Sequence, residues 1–383
     1  MTREDDFPIL SRYTYLDSAS HGATPRRVVE AEREYIESKF TDGEDWPRVL
    51  SELFRSKALF SSLVKVKRSN VAVVPNVSTG LGLLLSSLNL KRGSTAVASL
   101  HNFPTSLHIL TNMRRRGTIS DLRVARNNTI DEYERLIDDS TSVVCVDAVG
   151  WLSGRVVDLR ALSEIAHDHG AIMISDMFHA CGVIPVDIKN LGLDAAISGM
   201  YKWLLGQPGV SFLVATDEIL EVSDPPLMGW FSIDDSVTQR FEKNENPFFR
   251  PLPLLDAKPA RDASRFELGT LSDSSVIAAA AALELMNEID EHARHSSIER
   301  LVKEMADLLS SEGHTIYTPL DSHKRSGIVS IKIKEAFEVS SRLRSRRIIC
   351  SARFDLLRTS LHFYNTRDDI DVFIKALREV LRG

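Results

Sequence analysis

Arg160-Ala161-Leu162-Ser163-Glu164-Ile165-Ala166-His167-Asp168-His169-Gly170-Ala171-Ile172-Met173-Ile174-Ser175-Asp176 is the stretch whose reading decides the fold. Residues 160–169 read as a helix, and Gly170 behind them is a natural C-terminal stop. Residues 171–175 form a nearly continuous apolar run, as expected of a strand covered on both faces. A second run of that kind lies upstream at 142–146. Strand, helix and strand in that order make a βαβ unit. The expected fold is therefore α/β, with a mainly parallel sheet and helices on both faces.

Working outward, residues 71–74, 95–99, 195–198 and 210–215 read as further buried strands. From about Asp217 the pattern changes. Residues 223–259 are rich in Pro, Phe and Asp and read as an irregular excursion, followed by helices at 274–289 and 296–309. Strands at 328–333, 348–351 and 357–363 and a last helix at 368–381 complete a smaller α+β domain. The expected division is an N-terminal segment (1–35) joining the small domain, a large domain (36–255) and a small domain (256–383). There is no internal repeat and no low-complexity tail.

With 383 residues the chain is long enough for two domains. Lys+Arg 47 against Asp+Glu 53 gives a net charge of −6, which argues against a nucleic-acid partner. The basic run Arg114-Arg115-Arg116 reads as a solvated face. Cys145, Cys181 and Cys350 are widely spaced, so neither a disulfide framework nor a metal site is expected, and a reducing compartment fits. The charged start Met1-Thr2-Arg3-Glu4-Asp5-Asp6 leads into no signal-peptide core. The apolar run 196–215 is broken by Lys202, glycines and Pro208, so no membrane segment is expected and a cytoplasmic location is the default.

Six features carry chemistry. Lys202 lies just past a buried strand, between small residues and a glycine turn. It is either a lysine whose stem is buried and whose amine reaches water, or an amine made nucleophilic by burial. Asp176 stands at the carboxyl edge of the parallel sheet, as a helix cap or a ligand-facing carboxylate. His179 follows closely, structural or facing the same ligand. Ser78 and Thr79 precede the stretch 80–87, read as a helix, and serve as N-caps or as part of a phosphate site. Phe103 follows another strand end, in the core or stacked on a ring. Arg358 opens the run 357–363, in a surface ion pair or as a carboxylate clamp. Together they meet the needs of pyridoxal-phosphate (PLP) chemistry: an imine-forming lysine, a carboxylate for the ring nitrogen, a phosphate cup, a stacking ring and a cation for the substrate carboxylate.

The order of motifs resembles the class V aminotransferase family of fold-type I PLP enzymes, which includes cysteine desulfurases, kynureninases, selenocysteine lyases and isopenicillin N epimerase relatives. The matching segments are Tyr15-Leu16-Asp17-Ser18-Ala19-Ser20-His21-Gly22, Val149-Gly150-Trp151-Leu152-Ser153-Gly154-Arg155, Asp176-Met177-Phe178-His179-Ala180-Cys181-Gly182 and Tyr201-Lys202-Trp203 with Gly206 and Pro208-Gly209. Gly229-Trp230, Phe266-Glu267-Leu268-Gly269-Thr270 and Arg358-Thr359-Ser360-Leu361-His362-Phe363-Tyr364-Asn365-Thr366 follow in the same order.

The resemblance implies that Lys202 is the Schiff-base lysine, Asp176 the partner of the pyridinium and His179 the partner of the ring oxygen. It implies that Ser78, Thr79 and Tyr201 hold the phosphate, that Phe103 stacks on the ring and that Arg358 takes the substrate carboxylate. Thr270 would reach the phosphate of a neighbouring subunit, so a homodimer with shared sites is expected. His21, His101, Trp151 and Trp230 line the substrate pocket by position. Two features depart from named activities. Cys350 lies in an expected strand close to Arg358, unlike a mobile desulfurase cysteine. Asn102-Phe103-Pro104-Thr105 looks like kynureninase, but Ser106 stands where an acidic residue is expected. Amino-group transfer on an L-amino acid is the expected reaction, with elimination of a β- or γ-group, epimerisation or a non-catalytic PLP-binding role as alternatives.

Overall fold

The structure, a computed structural model, describes residues 3–91, 93–321 and 324–382. Its strands are β1 (Thr14–Tyr15), β2 (Val71–Val74), β3 (Thr95–Ser99), β4 (Asp121–Ala125), β5 (Thr141–Asp147), β6 (Ile172–Asp176), β7 (Ala195–Gly199) and β8 (Ser211–Ala215). β9 (Ile328–Lys332), β10 (Ile348–Ile349), β11 (Ser351–Arg353) and β12 (Leu356–Ser360) follow.

One sheet has the order β2-β8-β7-β6-β5-β3-β4. The pairs from β7 to β4 are parallel, and β8 alone runs against both of its neighbours. β2, β3, β7 and β8 are buried at every residue, which is why their sequences read as unbroken apolar runs. β4 is the exception. It is the edge strand Asp121-Leu122-Arg123-Val124-Ala125 with only Ala125 buried, so it lacks the apolar run that marks the others. Phe60 of helix Trp46–Val64 stacks on Phe212 of β8 at 4.4 Å, one of the contacts that fix a helix layer to the sheet.

A second core lies under the three-stranded sheet β11-β12-β9, whose pairs are antiparallel. β1 pairs in parallel with β10, and Asp17 bridges Ser360 of β12. Leu16 and Ala19 therefore pack with Leu301, Ile331, Leu357 and Phe373, and Trp203 from the large sheet's edge joins them. The expected strand 348–351 is broken in two at Cys350, because β10 and β11 pair with different partners.

Helix Asp273–Glu288 packs on helices Arg26–Asp42 and Trp46–Val64 and contributes Val276, Ala279 and Leu283 to the larger core. This helix thus packs with the larger core. No helix among the described residues is long and apolar enough to cross a membrane.

Candidate active site

The carboxyl ends of β2, β3, β5, β6 and β7 point the same way, and the chain turns that leave them build the site. β5 ends on Asp147 and β6 on Asp176, and the two are partners in register. Beyond β6 a turn begins in which the Phe178 N–H donates to Asp176 Oδ1 at 2.8 Å, so Asp176 caps a turn, not a helix. Beyond β7 the chain bends through Tyr201 and Lys202. Gly199 is required there: a Cβ would stand 2.4 Å from the Phe178 ring, and that ring lies 4.1 Å from Lys202 Nζ. Gly22 brings the N-terminal loop in as closely. Its N–H donates to the Tyr201 carbonyl at 2.9 Å, and a Cβ would sit 2.2 Å from the Lys202 carbonyl oxygen.

Lys202 is 8% exposed, Asp176 9%, His179 4% and Arg358 2%, so solvent screens little between them. Burial pulls the Lys202 amine down to about 8, against the pull of Asp176. Burial pushes Asp176 up to about 6, opposed by the Phe178 N–H and Lys202. Asp147 is pushed well above the carboxylate range by burial and then by the charge of Asp176. Burial, with Lys202 beside it, holds the His179 imidazole neutral, well below its ordinary value. Arg358 is lowered to about 10 by burial and by Arg353, and it remains a cation.

Two adjoining cavities share Phe103, His179, Tyr201 and Lys202. One, of about 180 Å³, adds Ser78, Thr105, Asp147 and Asp176. The other, of about 260 Å³, adds Ser20, His21, Trp151, Arg353 and Arg358. Arg358 is not in a surface pair. It donates to the Trp151 carbonyl at 2.8 Å, to Ser20 Oγ at 2.8 Å and to Ser351 Oγ at 3.2 Å. Phe103 is 43% exposed on the cavity wall rather than packed in a core.

Some expected residues stand elsewhere. The helix expected from 80 begins at Val77, which puts Ser78 and Thr79 inside its first turn and makes Asn76 the cap, accepting the Thr79 N–H at 2.8 Å. Ser78 Oγ pairs with Thr105 Oγ1 at 3.1 Å on the wall, and Thr79 is exposed and lines neither cavity. Trp230 stacks on Trp46, with ring centroids 6.1 Å apart, and neither it nor the exposed Thr270 lines either cavity. His101 lines neither; its Nε2 pairs with the Arg126 carbonyl at 2.9 Å.

Asp147, Thr105 and Arg353 line the cavities although the sequence reading does not single them out. Asp147 carries a usable signal, since it ends an apolar strand on a carboxylate as Asp176 does. Cys350 is buried, and burial pushes its thiol up to about 12.

Residues 14–373 match the family described as Aminotransferase class-V. The chain belongs to the class V aminotransferase family. It is 29% identical over 370 residues to an uncharacterized aminotransferase of Bacillus subtilis, covering 95% of this chain and 93% of that one. It is 28% identical over 397 residues to a kynureninase of Deinococcus radiodurans, covering 98% and 92%. Its fold matches a cysteine desulfurase of Thermococcus onnurineus with a TM-score of 0.86 at 21% identity, over 99% of this chain and 97% of that one. It matches equally, with a TM-score of 0.86 at 18% identity over 98% of both, the C-DES protein solved with glycine covalently linked to its PLP cofactor. A class V aminotransferase is a fold-type I, PLP-dependent enzyme.

The wall residues suit that cofactor. Asp147 Oδ1 is buried and has no hydrogen-bond partner, so the cavity wall holds a polar atom left for a ligand. Helix Val77–Ser87 spans 11 residues, and its Val77 and Ser78 amides, in the first turn, have no carbonyl partner within the helix. With the Ser78 and Thr105 hydroxyls they line the cavity at a helix start, an environment that favours an anionic group.

Proposed function

We propose that this class V enzyme transfers the amino group of an L-amino acid, with PLP linked to Lys202. The observation that supports this most is a pair of adjoining cavities that share the buried Lys202 amine, one lined by the buried Asp147 and Asp176 and the other by the buried Arg358 guanidinium. When bound, PLP supplies an electron sink for charge left on the substrate Cα. Asp176 holds a proton on the ring nitrogen, and His179 faces the ring oxygen. Ser78, Thr105 and Tyr201 hold the phosphate together with the amides of the helix start, and Phe103 covers the ring. With PLP in place, Lys202 Nζ would be the group that takes and returns the proton at the substrate Cα. Arg358 orients the substrate by its α-carboxylate, with His21 and Trp151 beside it. Trp230 and Thr270 serve a second copy's site in a homodimer, in keeping with the exposed Phe248, Phe249, Leu254 and Leu255 nearby in the chain.

The deciding experiment follows the visible spectrum of the PLP-loaded protein as L-amino acids are added with and without a keto acid. Turnover that requires the keto acid supports transfer. Pyruvate, alanine or sulfide released without one overturns it in favour of a lyase. The lyase reading has its own support in Phe103-Pro104-Thr105 and in the kynureninase likeness. A lyase that uses Cys350 as nucleophile has less. Its thiol is buried, and a thiol held that far from ionisation is a poor nucleophile. Cys350→Ser is therefore expected to leave any sulfide release within about twofold of wild type. A loss of sulfide release in that variant restores the cysteine.

Arg358→Gln is expected to lower kcat/KM about 100-fold through KM, because a buried charge-assisted clamp is lost. The PLP absorbance should be unaltered. An unchanged KM would move the carboxylate to Arg353.

A further inference from the structure

Trp203 is fully buried, and its indole Nε1–H donates to His179 Nδ1 at 3.2 Å. An indole nitrogen can only donate, so Nδ1 is the unprotonated nitrogen of His179. A neutral imidazole carries one proton, which must then sit on Nε2. Nε2 lies 2.9 Å from Lys202 Nζ. A nitrogen that donates there needs a lone pair to receive it, and an ammonium has none. We propose that Trp203 is a positioning residue which, through His179, holds Lys202 as the neutral amine, the form that attacks a carbonyl.

The ring is fixed from the other layer. A Cβ on Gly327 would meet the indole at 2.7 Å, and the Trp203 carbonyl pairs with His362 Nε2 at 2.9 Å. The indole direction is thus set by the C-terminal layer, and a phenylalanine would fill much of the same space without the N–H. Other charges also bear on Lys202. Asp176 and Asp147 favour the ammonium, whereas Arg358 and Arg353 oppose it. Tyr201, with the His21 ring tilted against it at a centroid distance of 4.7 Å, is a further titratable neighbour from its own turn. The relay through His179 acts beside these charges and is separable from them by substitution. It depends on the PLP reading only for what the amine attacks; the donor chain itself belongs to the cofactor-free protein.

The test is the pH profile of Lys202 acylation by an N-hydroxysuccinimide ester in cofactor-free protein, read by mass spectrometry of the Lys202 peptide. In Trp203→Phe the midpoint is expected to rise by about one pH unit, the worth of one donor preference. In a His179→Leu background the same substitution should move nothing. An unmoved midpoint in Trp203→Phe overturns the proposal, as does an equal rise in both backgrounds. A second measurement needs no folded Trp203 variant: nitrogen-15 NMR of the histidine-labelled wild type, with His179 assigned by its loss in His179→Leu. The Nε2–H tautomer supports the relay, and an Nδ1–H tautomer or an imidazolium at pH 8 overturns it. The same preparations are then loaded with PLP. A visible band with an unmoved midpoint sinks the relay alone, while a wild type without any band sinks the cofactor reading alone.

Discussion

Lys202→Ala is expected to erase the visible absorbance of lysine-linked PLP and to cut turnover by at least about 10⁴-fold. Among the described residues Lys202 is the only lysine on the walls of either cavity, and the other cations there are the guanidiniums of Arg353 and Arg358, which do not form imines under these conditions. Its amine meets both demands of the proposed step. Burial brings it to about 8, so a sizeable neutral fraction exists near neutral pH. It also stands within reach of both cavities, so one group can serve as attachment point and as proton carrier for Cα. Added methylamine should restore part of the turnover, since a small amine fits the space that the side chain leaves. The checks are the spectrum, single-turnover rates with the L-amino acid that works best in wild type, and a thermal midpoint showing that the variant is folded. A visible band that survives in Lys202→Ala would mean that another amine holds the cofactor, and the assignment of this site would fail.

Much of this site is legible in the sequence because strand ends carry it. The runs that become β2, β3, β5, β6 and β7 are apolar on both faces, so their ends are sharp, and Asp176, Phe103 and Lys202 fall just beyond them. The direction of β8 is not legible, because an apolar run looks the same whichever way it pairs. β4 escapes for the opposite reason, being an edge strand with alternating polar residues. Helix Val77–Ser87 starts three residues before the expected position because Ser78 and Thr79 are favourable caps in isolation; Asn76 competes for the role and holds it. The Ala-rich helix Asp273–Glu288 reads as part of the C-terminal domain because it follows the irregular excursion. Its small side chains pack closely between two helices of the large layer, a choice that only the tertiary structure makes. Asp147 carries the same sequence signal as Asp176, a carboxylate that ends an apolar strand; what ties the two together is their pairing in register, which requires the sheet order.

Asp176→Asn is expected to make the cofactor-free protein more stable than wild type at pH 7 and, in the same stroke, a poor holder of PLP. The folded protein raises the Asp176 carboxyl to about 6, above its ordinary value of 3.8. A carboxyl raised by folding favours the native state while it is protonated. Its contribution is full below about pH 4 and is lost as pH rises through about 6. Asparagine mimics the protonated group at every pH, so the two proteins should be alike near pH 4 and diverge above it. The gap corresponds to about 3 kcal/mol at pH 7, from about two pH units at about 1.4 kcal/mol each. Asp147 sharpens the contrast. Part of its own upward push comes from the Asp176 charge, so in the variant it should ionise at lower pH. Denaturation of cofactor-free protein at pH 4, 5.5 and 7 measures the gap, and curves that stay parallel would show that burial does not raise this carboxyl. With PLP added, the order should reverse. The amide side chain of the variant carries no charge to hold a proton on the ring nitrogen, so retention falls and the step at Cα slows by about 10² to 10³-fold. A buried carboxylate that weakens the fold by itself and strengthens it once a cation faces it is the mark of a residue kept for a ligand. A variant that gained stability at pH 7 yet retained PLP and full rate would instead leave Asp147 as the group that serves the ring.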